Sequence, residues 1–119
     1  MENQNKMKYY HNNRCRKSRE GLQFLAEKKI YPEVIDYINN KMEKLELVEI
    51  INKLKVEPEN LLRKNEKAYK ENIKGKNLSS DQIIDWIIKE PKLMERPILM
   101  DNKSAAIGRP KENFLNLID

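Results

Sequence analysis

Residues 8–25 read KYYHNNRCRKSREGLQFL, and this stretch sets the class of the whole chain. Met7 to Tyr10 is a short candidate strand, its pattern weakened by Lys8. From Cys15 onward the apolar spacing becomes helical, because Ser18, Leu22, Leu25 and Ala26 fall three or four apart and share the face on which Cys15 begins. A strand, a turn and a helix therefore follow one another, with the single cysteine of the chain at the turn. His11, Arg14, Arg16, Lys17 and Arg19 surround it. Whether that sulfur fills a core or performs chemistry is the central question of the sequence.

The 119 residues suit a single domain with one modest core, expected over 7–119 behind a loose polar end at 1–6. One cysteine makes no intramolecular disulfide. No apolar run is long enough to cross a bilayer and MENQNKMKYY has no signal-peptide pattern, so a cytoplasmic location with reduced thiols is expected. The formal net charge is +5, but acidic and basic residues are interspersed along the chain, with no basic block or RNA-binding aromatic motif. A small anionic ligand ranks ahead of nucleic acid, and no membrane partner is expected. One Cys and one His are too few for a metal site.

Further along, YPEVIDYI offers a second strand through Val34 to Tyr37. Leu47, Val48, Ile51 and Leu54 keep a helical period, and Pro58 suits the first turn of a further helix containing Leu61 and Leu62. Ser79 with Gln82 fits a capping box, and Ile83, Ile84, Ile87 and Ile88 mark a buried helix face that stops at Pro91. Pro97 to Met100 and Ser104 to Ile107 read as two strands joined tightly through DNK. A last helix after Pro110 is expected to turn Phe114, Leu115 and Ile118 inward. The order is β, α, β, helices, β, β, α.

A lone cysteine is among the most buried residue types, and most such residues are inert. Cys15 differs in its position, since the unpaired N–H groups and positive end of a helix favour its thiolate. A helix end contributes about 0.3–2 kcal/mol, which takes a free thiol of pKa about 8.5 only partway toward full ionisation at neutral pH. Fixed positive charge must supply the rest. Arginine suits that task, because it stays protonated and its planar fork also fits a tetrahedral oxyanion. His11, four residues before the sulfur, is open to two roles, base or hydrogen-bonding prop. Ser18, one turn beyond, is placed to donate a hydrogen bond to the thiolate.

With YHNNRCRKSRE, LLRKNEKAYKE and ERPILMDNKSAAIGRPKENFLNLI in view, the chain resembles the glutaredoxin-dependent arsenate reductase family over roughly all of its length after residue 6. The resemblance implies an α/β, thioredoxin-like (glutaredoxin-like) fold. Such a fold has a four-stranded mixed sheet with helices on both faces and a helical insertion after the second strand, at roughly residues 42–90. It places the nucleophile on Cys15 in an H-N-x-x-C loop. The anion-binding arginines fall on Arg63 in LLRK, Arg96 in ERP and Arg109 in GRP, and the structural cis-proline on Pro97. Alone, Arg63 or Arg96 would read as an ordinary solvated charge. One departure is Asn13, where the family usually has proline, which should loosen the loop and open it to left-handed geometry. The chain also ends soon after the last helix, where better-known members carry an extension.

In the mechanism the resemblance implies, the Cys15 thiolate attacks arsenate while the three arginines neutralise the oxyanion. With no second cysteine, glutathione as co-substrate and a glutaredoxin partner resolve the adduct. No bound cofactor is implied, and a monomer is expected. Two other readings share the fold. One is a Spx-type transcription regulator that binds RNA polymerase, although Ser18 stands where a redox switch of that kind has its second cysteine. The other is a non-catalytic relative that holds an oxyanion or glutathione.

Overall fold

The computed structural model describes residues 7–118; the loose end expected at 1–6 lies outside them. The strands are β1 (Lys8–His11), β2 (Glu33–Asp36), β3 (Ile98–Met100) and β4 (Ala105–Ile107), and the α-helices are α1 (Arg16–Glu27), α2 (Lys44–Leu54), α3 (Lys67–Asn72) and α4 (Ser80–Lys89). Short 3-10 helices span Pro58–Leu61, Pro91–Leu93 and Lys111–Leu117. The described residues divide into two compact units, one holding the residues up to Asn39 with those from Arg96 onward, the other Asn40–Glu95.

The first unit is built on a mixed sheet of order β2-β1-β3-β4. β1 runs parallel to β2, with Tyr9 opposite Val34, and antiparallel to β3, with Tyr9 opposite Leu99. β3 and β4 form the expected hairpin, Leu99 facing Ala106. Its turn is held by Asp101, whose Oδ1 accepts the N–H groups of Lys103 and Ser104, both at 2.8 Å. Because strand side chains alternate, Tyr9, Leu99 and Ala106 share one face, where Leu25 of α1, Ile30 and Phe114 complete a core. Tyr10 and Ile98 point the other way and are equally buried. The α/β class and the mixed four-stranded sheet are therefore those expected.

α1 lies close to this sheet because Gly21 carries no side chain. A Cβ there would stand 2.5 Å from Tyr9 Oη and 3.2 Å from Pro97 Cγ. Gly108 makes room in the same way for the ring of Phe114. The Arg96–Pro97 bond is cis, as the resemblance implies, and so is Arg109–Pro110.

The last helix departs from the expected one. It is 3-10, and Leu115 is 44% exposed while Phe114 is buried. With about three residues per turn, the inward positions recur at intervals of three, so Phe114 and Leu117 share a side and Leu115 is turned away.

The second unit is helical. Leu47, Ile50 and Ile51 of α2 are buried, as are Ile83, Ile84 and Ile87 of α4. The expected capping box is present: Gln82 N–H donates to Ser79 Oγ at 3.2 Å, and Ser79 N–H donates to Gln82 Oε1 at 2.8 Å. Pro58 opens only a single 3-10 turn. Leu62, expected inside a helix, has an extended backbone and bridges Met94, with Glu95 N–H donating to Leu61 C=O at 2.8 Å. Pairing with the segment before Arg96 competes with continuation of the helix there. α3 was not expected, and no residue of it is buried.

Candidate active site

The loop between β1 and α1 is a hydrogen-bonded turn. Cys15 N–H donates to Asn12 C=O at 2.9 Å, and Arg14 N–H donates to Asn12 Oδ1 at 3.0 Å. Asn13, in place of proline, is tied on both sides: its carbonyl accepts from Arg19 Nη1 at 2.9 Å, and its Oδ1 lies 3.3 Å from His11 Nε2. Its φ is not positive, so the left-handed geometry expected for it is not adopted. Those tethers supply the order that a proline ring would otherwise impose.

Cys15 is the N-cap of α1, with extended backbone, and its side chain caps nothing. The sulfur is therefore left facing the helix entrance rather than consumed by the cap. Arg109 Nη2 lies 3.4 Å from Sγ, and Arg109 Nε–H donates to Arg96 C=O at 2.6 Å. Arg96 is itself buried. Burial pushes the Cys15 thiol up, but the backbone N–H of Ser18, a hydrogen bond from Arg96 and the charges of Arg96 and Arg109 together outweigh it. The thiol is held below its ordinary value, as a nucleophile requires.

Ser18 works through two different atoms. Its backbone N–H serves the sulfur, whereas the side-chain hydroxyl, expected to reach the thiolate, is directed elsewhere. Ser18 Oγ accepts Asn12 N–H at 3.0 Å and lies 2.8 Å from His11 Nδ1. Asn13 Oδ1 is an acceptor, so His11 Nε2 carries a proton; in the neutral ring Nδ1 then accepts from the Ser18 hydroxyl. Both ring nitrogens are committed to the loop, which makes His11 a prop in this geometry. Beneath them, Tyr9 Oη donates to Ser18 C=O at 2.5 Å, and burial pushes the phenol well up, so it remains a neutral donor.

The first unit thus brings together Cys15, His11, Ser18, Arg96, Arg109 and Pro97. Arg63 belongs to the second unit, where Nε lies 3.5 Å from Glu66 Oε2 and Nη1 3.8 Å from Glu95 Oε1. Sequence reasoning missed the Tyr9 hydroxyl and the hold of Arg109 on the Arg96 carbonyl; neither leaves a local signal, since a strand tyrosine and an exposed-looking arginine are commonplace. Among the described residues no group of three His, Cys, Asp or Glu could hold a metal ion. No described helix is long and apolar enough to cross a membrane.

A thiol held toward its charged form at a helix N-terminus, with the guanidinium groups of Arg109 and Arg96 beside it on a thioredoxin-like sheet, is an arrangement suited to thiol chemistry on anions. Residues 10–117 match the ArsC family, and the chain belongs to it. It is 39% identical over 110 residues to an arsenate reductase of Neisseria meningitidis, covering 91% of this chain and 94% of that one. It is 40% identical over 114 residues to the uncharacterized protein YfgD of Escherichia coli (strain K12), covering 94% and 96%. Among solved structures, an arsenate reductase from Vibrio cholerae superposes with a TM-score of 0.90 at 37% identity, covering 94% of this chain and 97% of that one.

Proposed function

We propose that the protein is a thiol-dependent arsenate reductase with Cys15 as nucleophile. The observation that carries this reading is the Arg109 guanidinium 3.4 Å from Sγ, backed by Arg96 and the helix end. The same donors that favour a thiolate also accept a tetrahedral dianion, so substrate and nucleophile are drawn to one place. Arg63 is assigned to the oxyanion on its LLRK motif, as the resemblance implies.

The Cys15 thiolate attacks arsenic(V), an oxygen leaves as water, and a sulfur–arsenic adduct forms. An external thiol then attacks the adduct. Two thiols are oxidised to one disulfide, their two electrons reduce arsenic from V to III, and arsenite departs. Glutathione is the proposed co-substrate and a glutaredoxin the proposed partner, because the chain has no second cysteine to close the disulfide internally. Such chemistry suits a monomer in the cytoplasm, where thiols are kept reduced.

Turnover of arsenate with glutathione and glutaredoxin, followed through NADPH oxidation by glutathione reductase, tests the reading. Wild type should turn over well above Cys15→Ser. Equal rates would remove the assignment.

A further inference from the structure

Tyr9 and His11 stand two apart in β1, so both project from one face of the sheet, and both end on Ser18 of α1. We infer that Tyr9 is a positioning residue for the Cys15 nucleophile: its hydroxyl clamps residue 18, whose N–H serves the sulfur, and Gly21 is the opening through which it reaches the helix. The inference rests on the reading of Cys15 proposed above and deepens it.

The N–H at position 18 is the part of the site most in need of support. Ser18 is the third residue of α1, and N–H groups in the first turn of a helix have no partner within the helix. Its aim at the sulfur therefore depends on what fixes residue 18 as a whole. Ser18 is fully buried and held on two sides: Oγ accepts Asn12 N–H at 3.0 Å and lies 2.8 Å from His11 Nδ1, and the carbonyl accepts Tyr9 Oη at 2.5 Å. The Oγ contacts go to the end of β1 and the loop that follows it. Tyr9 lies deeper, opposite Val34 on one side and Leu99 on the other, so its bond refers α1 to the centre of the sheet.

Gly21 supplies the second support. A Cβ there would stand 2.5 Å from Tyr9 Oη, closer than to Phe114 Cε2 at 3.1 Å or Pro97 Cγ at 3.2 Å. Glycine in a helix interior lowers stability, and at this position it keeps the path of the hydroxyl clear. The Tyr9 ring already packs edge-on against Phe114, with centroids 5.9 Å apart, so the ring alone fills the core and the hydroxyl has a separate task. Burial keeps the phenol protonated, and Oη stays a donor while the thiol titrates.

The chain has one cysteine, so the pH dependence of iodoacetamide alkylation of the full chain reports on Cys15 alone. Tyr9→Phe keeps the ring and removes the hydroxyl, while Arg96 and Arg109 beside the sulfur and His11 in its loop stay in place. The midpoint should rise, slowing alkylation below it about two- to fivefold, as expected for one modest hydrogen bond acting through a second residue. Gly21→Ala, which displaces Oη, should move the midpoint the same way. The double variant should match Tyr9→Phe rather than add to it, because the crowded hydroxyl is then gone.

Ile30→Val, in the same core, separates this role from simple loss of stability. It should lower the urea midpoint and leave the alkylation midpoint unchanged. Circular dichroism confirms that each variant is folded over the pH range. An unmoved alkylation midpoint in Tyr9→Phe, shifts that add in the double variant, or an equal shift in Ile30→Val overturns the inference. If Tyr9→Phe does not fold, an unmoved midpoint in Gly21→Ala overturns it instead. Because no arsenate is present, absence of arsenate turnover would count against the proposed function alone.

Discussion

Arg109 holds the Cys15 sulfur with one end of its guanidinium and the Arg96 carbonyl with the other, Nη2 at 3.4 Å from Sγ and Nε at 2.6 Å from the oxygen. The second bond fixes the plane of the fork, so the first is delivered without a search through rotamers. Residues 94 positions apart in sequence thereby share one reactive centre.

The thiol should titrate below the ordinary free-thiol value, and iodoacetamide alkylation against pH should show its midpoint there. Arg96→Ala and Arg109→Ala should each move the midpoint upward, since each deletes a positive charge that favours the thiolate. The sign extends to stability. A group whose pKa is depressed by folding contributes stability that is present above the unfolded value and lost as pH falls through the folded one. The difference between wild type and Cys15→Ser should therefore grow as pH rises between the depressed and the ordinary thiol values. A wild-type midpoint at or above the free-thiol value would make Cys15 an ordinary thiol.

Arg109→Ala should lower arsenate kcat/KM by about 10²–10³, the usual effect of losing one donor from an oxyanion site. Arg109→Lys should recover part of the alkylation shift and little of the turnover. A lysine offers a point charge, and it cannot hold the Arg96 carbonyl and the sulfur with one rigid plane. Lysine variants running at more than half the wild-type rate would contradict this role for the fork.

Ser18→Ala should destabilise the protein by about 1–3 kcal/mol in urea unfolding, because Asn12 N–H loses its acceptor in a buried setting and His11 Nδ1 loses its partner. The prop reading of His11 predicts a second effect. Alkylation of Cys15 in Ser18→Ala should keep a depressed midpoint, since the backbone N–H at residue 18 remains. A midpoint fully restored to the free-thiol value would place the hydroxyl, rather than the backbone, at the sulfur.

Gly108→Ala should cost about 1–3 kcal/mol through overpacking, since its Cβ would fall 2.3 Å from Phe114 Cζ. Gly21→Ala should cost less in the same denaturation experiment. Its Cβ would meet Tyr9 Oη at 2.5 Å, but alanine recovers about 1 kcal/mol of helix propensity. An unchanged midpoint in both variants would mean that neither glycine sets the approach of its neighbour.

The sequence alone determined what depends on near neighbours. Cys15 as the first residue before α1, the Ser79–Gln82 box and the hairpin around Asp101 all rest on hydrogen bonds spanning two to four residues, and spacing encodes such bonds directly. The family resemblance pointed to Arg96 and Arg109. Only the tertiary structure set Arg109 against the sulfur, by pairing β1 with β3 and β3 with β4. It likewise turned the Ser18 hydroxyl toward His11, made the last helix 3-10 with Leu115 outward, and drew Leu62 into a bridge with Met94. α3 escaped notice because KAYKEN buries nothing and so carries no apolar period. Periodicity and caps report short-range forces. Which side chains finally meet is decided by strand pairing and close packing among residues far apart in the chain, and no local pattern records those contacts.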